Sequence, residues 1–174
     1  MKLVNCNYSQ HAKQILELFN DAILNSTALY DYQARSLDSM LPWFKAKEAG
    51  NYPVLGLEDE FGQLLGFASY GQFRGWPAYK YTVEHSVYVA KAHRNKGVGR
   101  SLMTQLIVTA KTQNCHVLVG GIDVDNKSSI KLHESLGFTH SGTIKHAGFK
   151  FGRWLDLGFY QLILETPINP IDGA

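Results

Sequence analysis

A chain of 174 residues, 45% apolar and 18% charged, is long enough to bury one core and has an ordinary globular balance. Its net charge of +2 is too small to point to nucleic acid or an anionic membrane as a partner. No apolar run approaches bilayer-spanning length, and the N-terminus lacks a signal peptide's apolar core; the two lone cysteines, Cys6 and Cys115, read as reduced thiols of a cytoplasmic protein.

In chain order, residues 2–8 read as a strand and Ser9 as a helix cap. QHAKQILELFNDAIL then places Ile15, Leu18, Phe19, Ala22 and Ile23 on one helical face. NSTALYDYQ breaks that period and reads as a loop. Ser36 or Asp38 starts a second helix, with Pro42 in its first turn and Gly50 ending it. PVLGLE and LLGFASYGQF around a turn at DEFGQ form a hairpin, followed by the aromatic loop GWPAYKY. In TVEHSVYVA, Val83, His85, Val87 and Val89 alternate with Glu84, Ser86, Tyr88 and Ala90. Leu102, Met103, Leu106, Ile107 and Ala110 mark a third amphipathic helix, and CHVLVGGIDV a buried strand. Asn126 caps KSSIKLHESL, Gly137 ends it, and FTHSGTI and WLDLGFYQLIL are two last strands. The expectation is one α/β domain over 1–166, a mixed and mostly antiparallel sheet with helices on both faces, followed by a flexible tail, 167–174.

Between the strand ending near Val89 and the third helix lies Arg94-Asn95-Lys96-Gly97-Val98-Gly99-Arg100. Cations, bare backbone and a helix N-terminus together suit an anion with several oxygens. A turn that merely caps the helix is the competing reading. Leu102 stands where a dinucleotide fingerprint needs its third glycine, and no Walker spacing is present.

The surroundings favour the anion. Arg94 to Gly99 resembles the (Q/R)-x-x-G-x-(G/A) signature of the GCN5-related N-acetyltransferases, and Asn126 followed by SLGF at 135–138 matches that family's spacing. TVEHSVYV, IDVDNKSSIKLHESLGF and GFKFGRWLDLGFYQL resemble its phosphinothricin and methionine sulfone/sulfoximine acetyltransferase branch. The resemblance implies acetyl-CoA as cosubstrate, with its pyrophosphate on the glycine turn. It assigns cofactor contacts to Val87, Tyr88, Val89, Asn95, Lys96, Gly97, Val98, Gly99, Arg100, Asn126 and Ser135. Arg74, Gly75, Trp76, Glu84, His85 and Ser86 would line the acceptor site, with Arg74 on a substrate carboxylate. By alternation alone, His85 points away from Glu84 and reads as core.

Acetyl transfer to an amine needs a base for the ammonium, a donor for the oxyanion and a proton for the leaving thiolate. Glu84 is the candidate base, against a salt-bridged surface glutamate. His133 is the candidate acid, against a half-buried packing residue, and Tyr88 is its rival. The histidines show no metal-ligand spacing, so no metal is expected. Phe149, Phe151 and Trp154 read as packing or as a contact between subunits, and the resemblance implies a homodimer. The expected activity is N-acetylation of a small amino acid of the phosphinothricin or methionine sulfoximine type. Alternatives are acetylation of a protein N-terminus, lysine or polyamine, and a non-catalytic acyl-CoA-binding domain.

Overall fold

The computed structural model describes residues 1–173. Seven strands form one open mixed sheet in the order β1-β2-β3-β4-β5-β7-β6, accompanied by four α-helices. The strands are β1 (Lys2–Asn5), β2 (Val54–Glu58), β3 (Leu64–Gln72), β4 (Thr82–Val89), β5 (Val117–Asp123), β6 (Thr139–Lys150) and β7 (Arg153–Ile163). The helices are α1 (Tyr8–Asn25), α2 (Met40–Ala49), α3 (Val98–Thr112) and α4 (Lys127–Glu134). β4 runs parallel to β5, while β1–β2, β2–β3, β5–β7 and β6–β7 are antiparallel. No helix among the described residues is long and apolar enough to cross a membrane.

The chain divides into two compact units that interleave along the sequence. The first holds residues 1–69 and 86–106. Asn7, in extended conformation, caps α1 by accepting the Gln10 N–H at 3.0 Å, so β1 stops at Asn5. The expected cap, Ser9, lies inside the first turn and donates its hydroxyl to Asn7 Oδ1. The apolar face read from α1 is buried as expected, and Phe19 meets Phe67, Trp43 and Tyr88 edge-on at 5.2–5.4 Å. Asn20 exchanges two hydrogen bonds with the Arg35 backbone and pins the loop between α1 and α2. At Gly66 a Cβ would stand 2.6 Å from the Tyr88 carbonyl oxygen, so glycine is what lets β3 approach the end of β4.

The second unit holds residues 70–85 and those from Ile107 on. Asn126 caps α4 through the Ser129 N–H, as read from the sequence, and Gly137 takes φ +90° just beyond it. β6 runs six residues past its expected end at Ile144. A bulge separates the pairs Ile144↔Leu157 and Gly148↔Leu155; within it His146 sits at φ +53° with its N–H on Asp156 Oδ1. The bulge breaks the alternation on which the expected end rested. Phe151 and Gly152, both at positive φ, make the two-residue turn into β7.

Candidate functional site

In the first unit the end of β4 leads through a short 3-10 turn at Lys91–His93 to the basic glycine segment. Asn95 has φ +60° and Gly97 φ +81°, so the chain reverses in the left-handed region where glycine carries no steric cost. The Ser101 N–H is taken by the Gly97 carbonyl at 3.0 Å, which makes Gly97 the residue that opens α3. The Val98 and Gly99 amides precede that bond and point out of the helix N-terminus, the geometry that receives anions. A Cβ at Gly97 would meet nothing within 4 Å, so open space lies beside the turn. Lys96 and Arg100 are exposed beside these amides.

Arg94, the first residue of the signature, is exposed but bonded to the protein on both sides. Its Nε donates to the Val89 carbonyl at 3.1 Å and its guanidinium pairs with Asp21 of α1 at 3.1 Å. It ties the turn to the strand end and to α1, a role that residue spacing could not reveal because Asp21 lies 73 positions away. Tyr88 is buried between Phe19 and Phe67, while Ser86, Val87 and Val89 are partly exposed. A polar groove of about 550 Å³ lies elsewhere in this unit, along β1 and the start of α1, with buried His11 paired to partly buried Glu58 in its wall. None of the expected site residues lines it.

In the second unit β4 pairs with β5 over Thr82↔Val117, Val83↔Leu118 and Glu84↔Val119, and the ladder ends there. Glu84 is exposed as a residue, but its carboxyl end leans over Gly121, where a Cβ would approach Oε1 to 3.5 Å. Burial pushes this carboxyl above the usual carboxylate range, and the Arg74 guanidinium opposes the shift without cancelling it. Arg74 lies over the Phe73 ring at 5.2 Å, in a loop where Gly75 and Trp76 are exposed. A carboxylate with raised proton affinity and a cation thus share one small region.

His85 and His133 form a buried pair that the sequence did not reveal. Their Nε2 atoms are 2.8 Å apart, and both rings pack on Phe138 with centroids at 5.1 Å. His133 Nδ1 donates to the Ser129 carbonyl at 2.7 Å, so its Nε2 accepts the proton carried by His85 Nε2. Burial lowers both imidazoles. His85, also facing His133, falls to about 3, and its Nδ1 makes no hydrogen bond although the Val119 backbone lies near enough to oppose the shift. Gly120 is what admits the pair, since a Cβ there would stand 3.0 Å from the His85 ring. His85 is therefore core on the face away from Glu84, as the alternation implied. Asn126 spends its side-chain oxygen on the α4 cap, and Ser135, exposed, donates to the Leu132 carbonyl at 2.6 Å. Arg153 bridges Asp123 and Asp125 at 3.2 and 3.0 Å ahead of α4, a cluster that no sequence expectation included.

A sequence model of the acetyltransferase (GNAT) family matches residues 13–138. The L-methionine sulfoximine/L-methionine sulfone acetyltransferase of Salmonella typhimurium is 44% identical over 156 residues, covering 90% of this chain and 91% of that protein. A solved structure from Acinetobacter baylyi ADP1 is 58% identical, with a TM-score of 0.97 over 99% of this chain and 96% of that one. The phosphinothricin acetyltransferase of Sinorhizobium meliloti, solved in complex with acetyl-CoA, is 32% identical, with a TM-score of 0.92 over 97% of this chain and 91% of that one.

Proposed function

Since the chain belongs to the acetyltransferase (GNAT) family, we propose that it moves the acetyl group of acetyl-CoA onto the α-amine of a small amino acid. The observation that carries this reading is the Glu84–Arg74 region. It offers a base of raised proton affinity for an ammonium group and a guanidinium for a carboxylate, the two charged ends of a zwitterion. The 44%-identical relative named for methionine sulfoximine and sulfone supports the same acceptor class, with phosphinothricin as a further candidate.

The turn residues fit the pyrophosphate of the cosubstrate. Gly97 leaves room for a phosphate, the Val98 and Gly99 amides point outward, and Lys96 and Arg100 supply charge. The backbone of Val87–Val89 pairs with the amide-rich arm, and one of its N–H groups donates to the oxyanion that forms on the thioester carbonyl oxygen. Asn126, through its amide nitrogen, and Ser135 contribute from the start and end of α4.

Glu84 takes the proton of the ammonium group, directly or through water. The freed nitrogen bonds to the acetyl carbon, the carbon–sulfur bond breaks with its electron pair going to sulfur, the nitrogen gives up its second proton to water, and the thiolate takes a proton to leave as coenzyme A. His133 keeps its Nδ1 proton on Ser129 and its Nε2 lone pair on His85, so Tyr88 is retained as the donor to the thiolate. Trp76, Gly75 and Ser86 complete the acceptor surface. The exposed aromatics Phe149, Phe151 and Trp154 along the β6–β7 hairpin serve a contact between two copies of the chain.

Thiol release from acetyl-CoA over a panel of amines tests the reading. Methionine sulfoximine, methionine sulfone and phosphinothricin should be turned over, and a lysine peptide or polyamine should not. Turnover of the peptide alone would put the acceptor in another class, and acetyl-CoA binding without any turnover would leave only a binding domain.

A further inference from the structure

We propose that the C-terminal segment Thr166–Gly173 is a strap that positions the Phe73–Tyr79 loop for acceptor binding, a role resting on the acceptor reading above. Beyond β7 the Leu164 N–H donates to the His116 carbonyl at 2.7 Å. The Thr166 hydroxyl then donates to the Cys115 carbonyl at 2.5 Å, and His116 Nδ1 donates to the Thr166 carbonyl at 2.8 Å. These bonds fasten the root of the segment to the chain entering β5. Its far end reaches the chain entering β4, next to the chain entering β5, where the Ile171 N–H donates to the Tyr81 hydroxyl at 3.0 Å and Lys80 Nζ to the Gly173 carbonyl at 2.5 Å. Pro167 and Pro170 lie between the two anchor points, so the spanning backbone has few conformations to lose.

Lys80 and Tyr81 form the base of the loop that carries Arg74. The Tyr81 carbonyl accepts the His116 and Val117 N–H groups at 2.8 and 3.1 Å, so Tyr81 is held by its backbone from β5 and by its side chain from the strap. Above it the loop closes on itself. Phe73 meets Tyr79 edge-on at 5.6 Å, Arg74 lies over Phe73, and the Tyr79 and Lys80 N–H groups cap the short turn at Trp76 and Pro77. Gly75, Trp76, Pro77 and Ala78 are exposed, so the loop's orientation depends on its base. A base held from two sides keeps Arg74 beside Glu84, and the ordering entropy is spent before the acceptor arrives.

Two variants test the strap, a chain ending at Asn169 and Tyr81→Phe in the full chain, each with and without Arg74→Ala. Steady-state kinetics give the KM for methionine sulfoximine and kcat, and calorimetry gives acetyl-CoA affinity. Either variant should raise the acceptor KM about three- to tenfold, with kcat and acetyl-CoA affinity within about twofold of the parent. In the Arg74→Ala background the additional KM rise should shrink, because the group being positioned is gone. An unchanged acceptor KM, or an equal weakening of both substrates, overturns the strap, and Tyr81→Phe alone decides if the shortened chain does not fold. A KM rise from Arg74→Ala with none from the strap variants leaves the acceptor reading standing without the strap. The reverse pattern keeps the strap and removes Arg74 from acceptor recognition. No KM change from any variant overturns both.

Discussion

Glu84 shows what a single position can and cannot disclose. Its residue type and strand were legible in TVEHSVYV, but its raised proton affinity comes from burial of the carboxyl end where it leans over Gly121, and the nearness of Arg74 only opposes that shift; neither neighbour is local in sequence. Glu84→Gln keeps the shape and removes the base. It should leave acetyl-CoA affinity unchanged and lower kcat by roughly 10²–10⁴, the range for a general base. The sign of the pH dependence follows from the direction of the shift. A base whose proton affinity is raised loses activity as pH falls through a value above the ordinary carboxylate range, and Glu84→Gln should lack that limb. Activity of the variant within twofold of the parent at every pH would remove Glu84 from the chemistry. The surroundings of His133 were hidden from the sequence for a comparable reason. A histidine on a helix suggests an acid, but only the fold shows its partner 48 residues away and the proton already committed to Ser129.

Among the elements, α1 and α3 were the most legible, because a helical stripe is a local signal that packing here simply uses. The β6–β7 hairpin was the least. Its bulge at 145–147 interrupts the alternation, and its turn places Phe151 at φ +51°, where Asn would be the residue to look for. The strand–turn–helix at 86–112 was legible because glycine is required there and the residue pattern says so. Gly97→Val tests that element. The left-handed φ of +81° costs an L-residue about 1–2 kcal/mol, and the new side chain fills the space beside the α3 amides. Acetyl-CoA affinity should fall at least tenfold in the folded variant by calorimetry. Unchanged affinity would mean that the turn only starts a helix.

The molecule as a whole carries little net charge, so its pH response comes from particular buried groups rather than from general repulsion. The His85–His133 pair is the clearest. Both imidazoles are held below their ordinary value by burial, so folding favours the neutral forms. Their stabilisation is complete above about pH 6.5, the unfolded value, and is lost as pH falls from there toward the folded value, about 3 for His85. Each site should contribute up to about 1.4 kcal/mol of lost stability per pH unit in that window. Urea unfolding at pH 7.5, 6.5 and 5.5 should show the decline, and His85→Leu should flatten part of it; an identical slope in the variant would exclude the pair as its source. The central claim concerns the acceptor, and one comparison tests it most directly: kcat/KM for methionine sulfoximine against the same compound with its carboxylate amidated. Loss of a charge-assisted bond to Arg74 costs on the order of 1.5–3 kcal/mol, so the free acid should be preferred about ten- to a hundredfold. Equal turnover of the two compounds would contradict recognition of a small zwitterion.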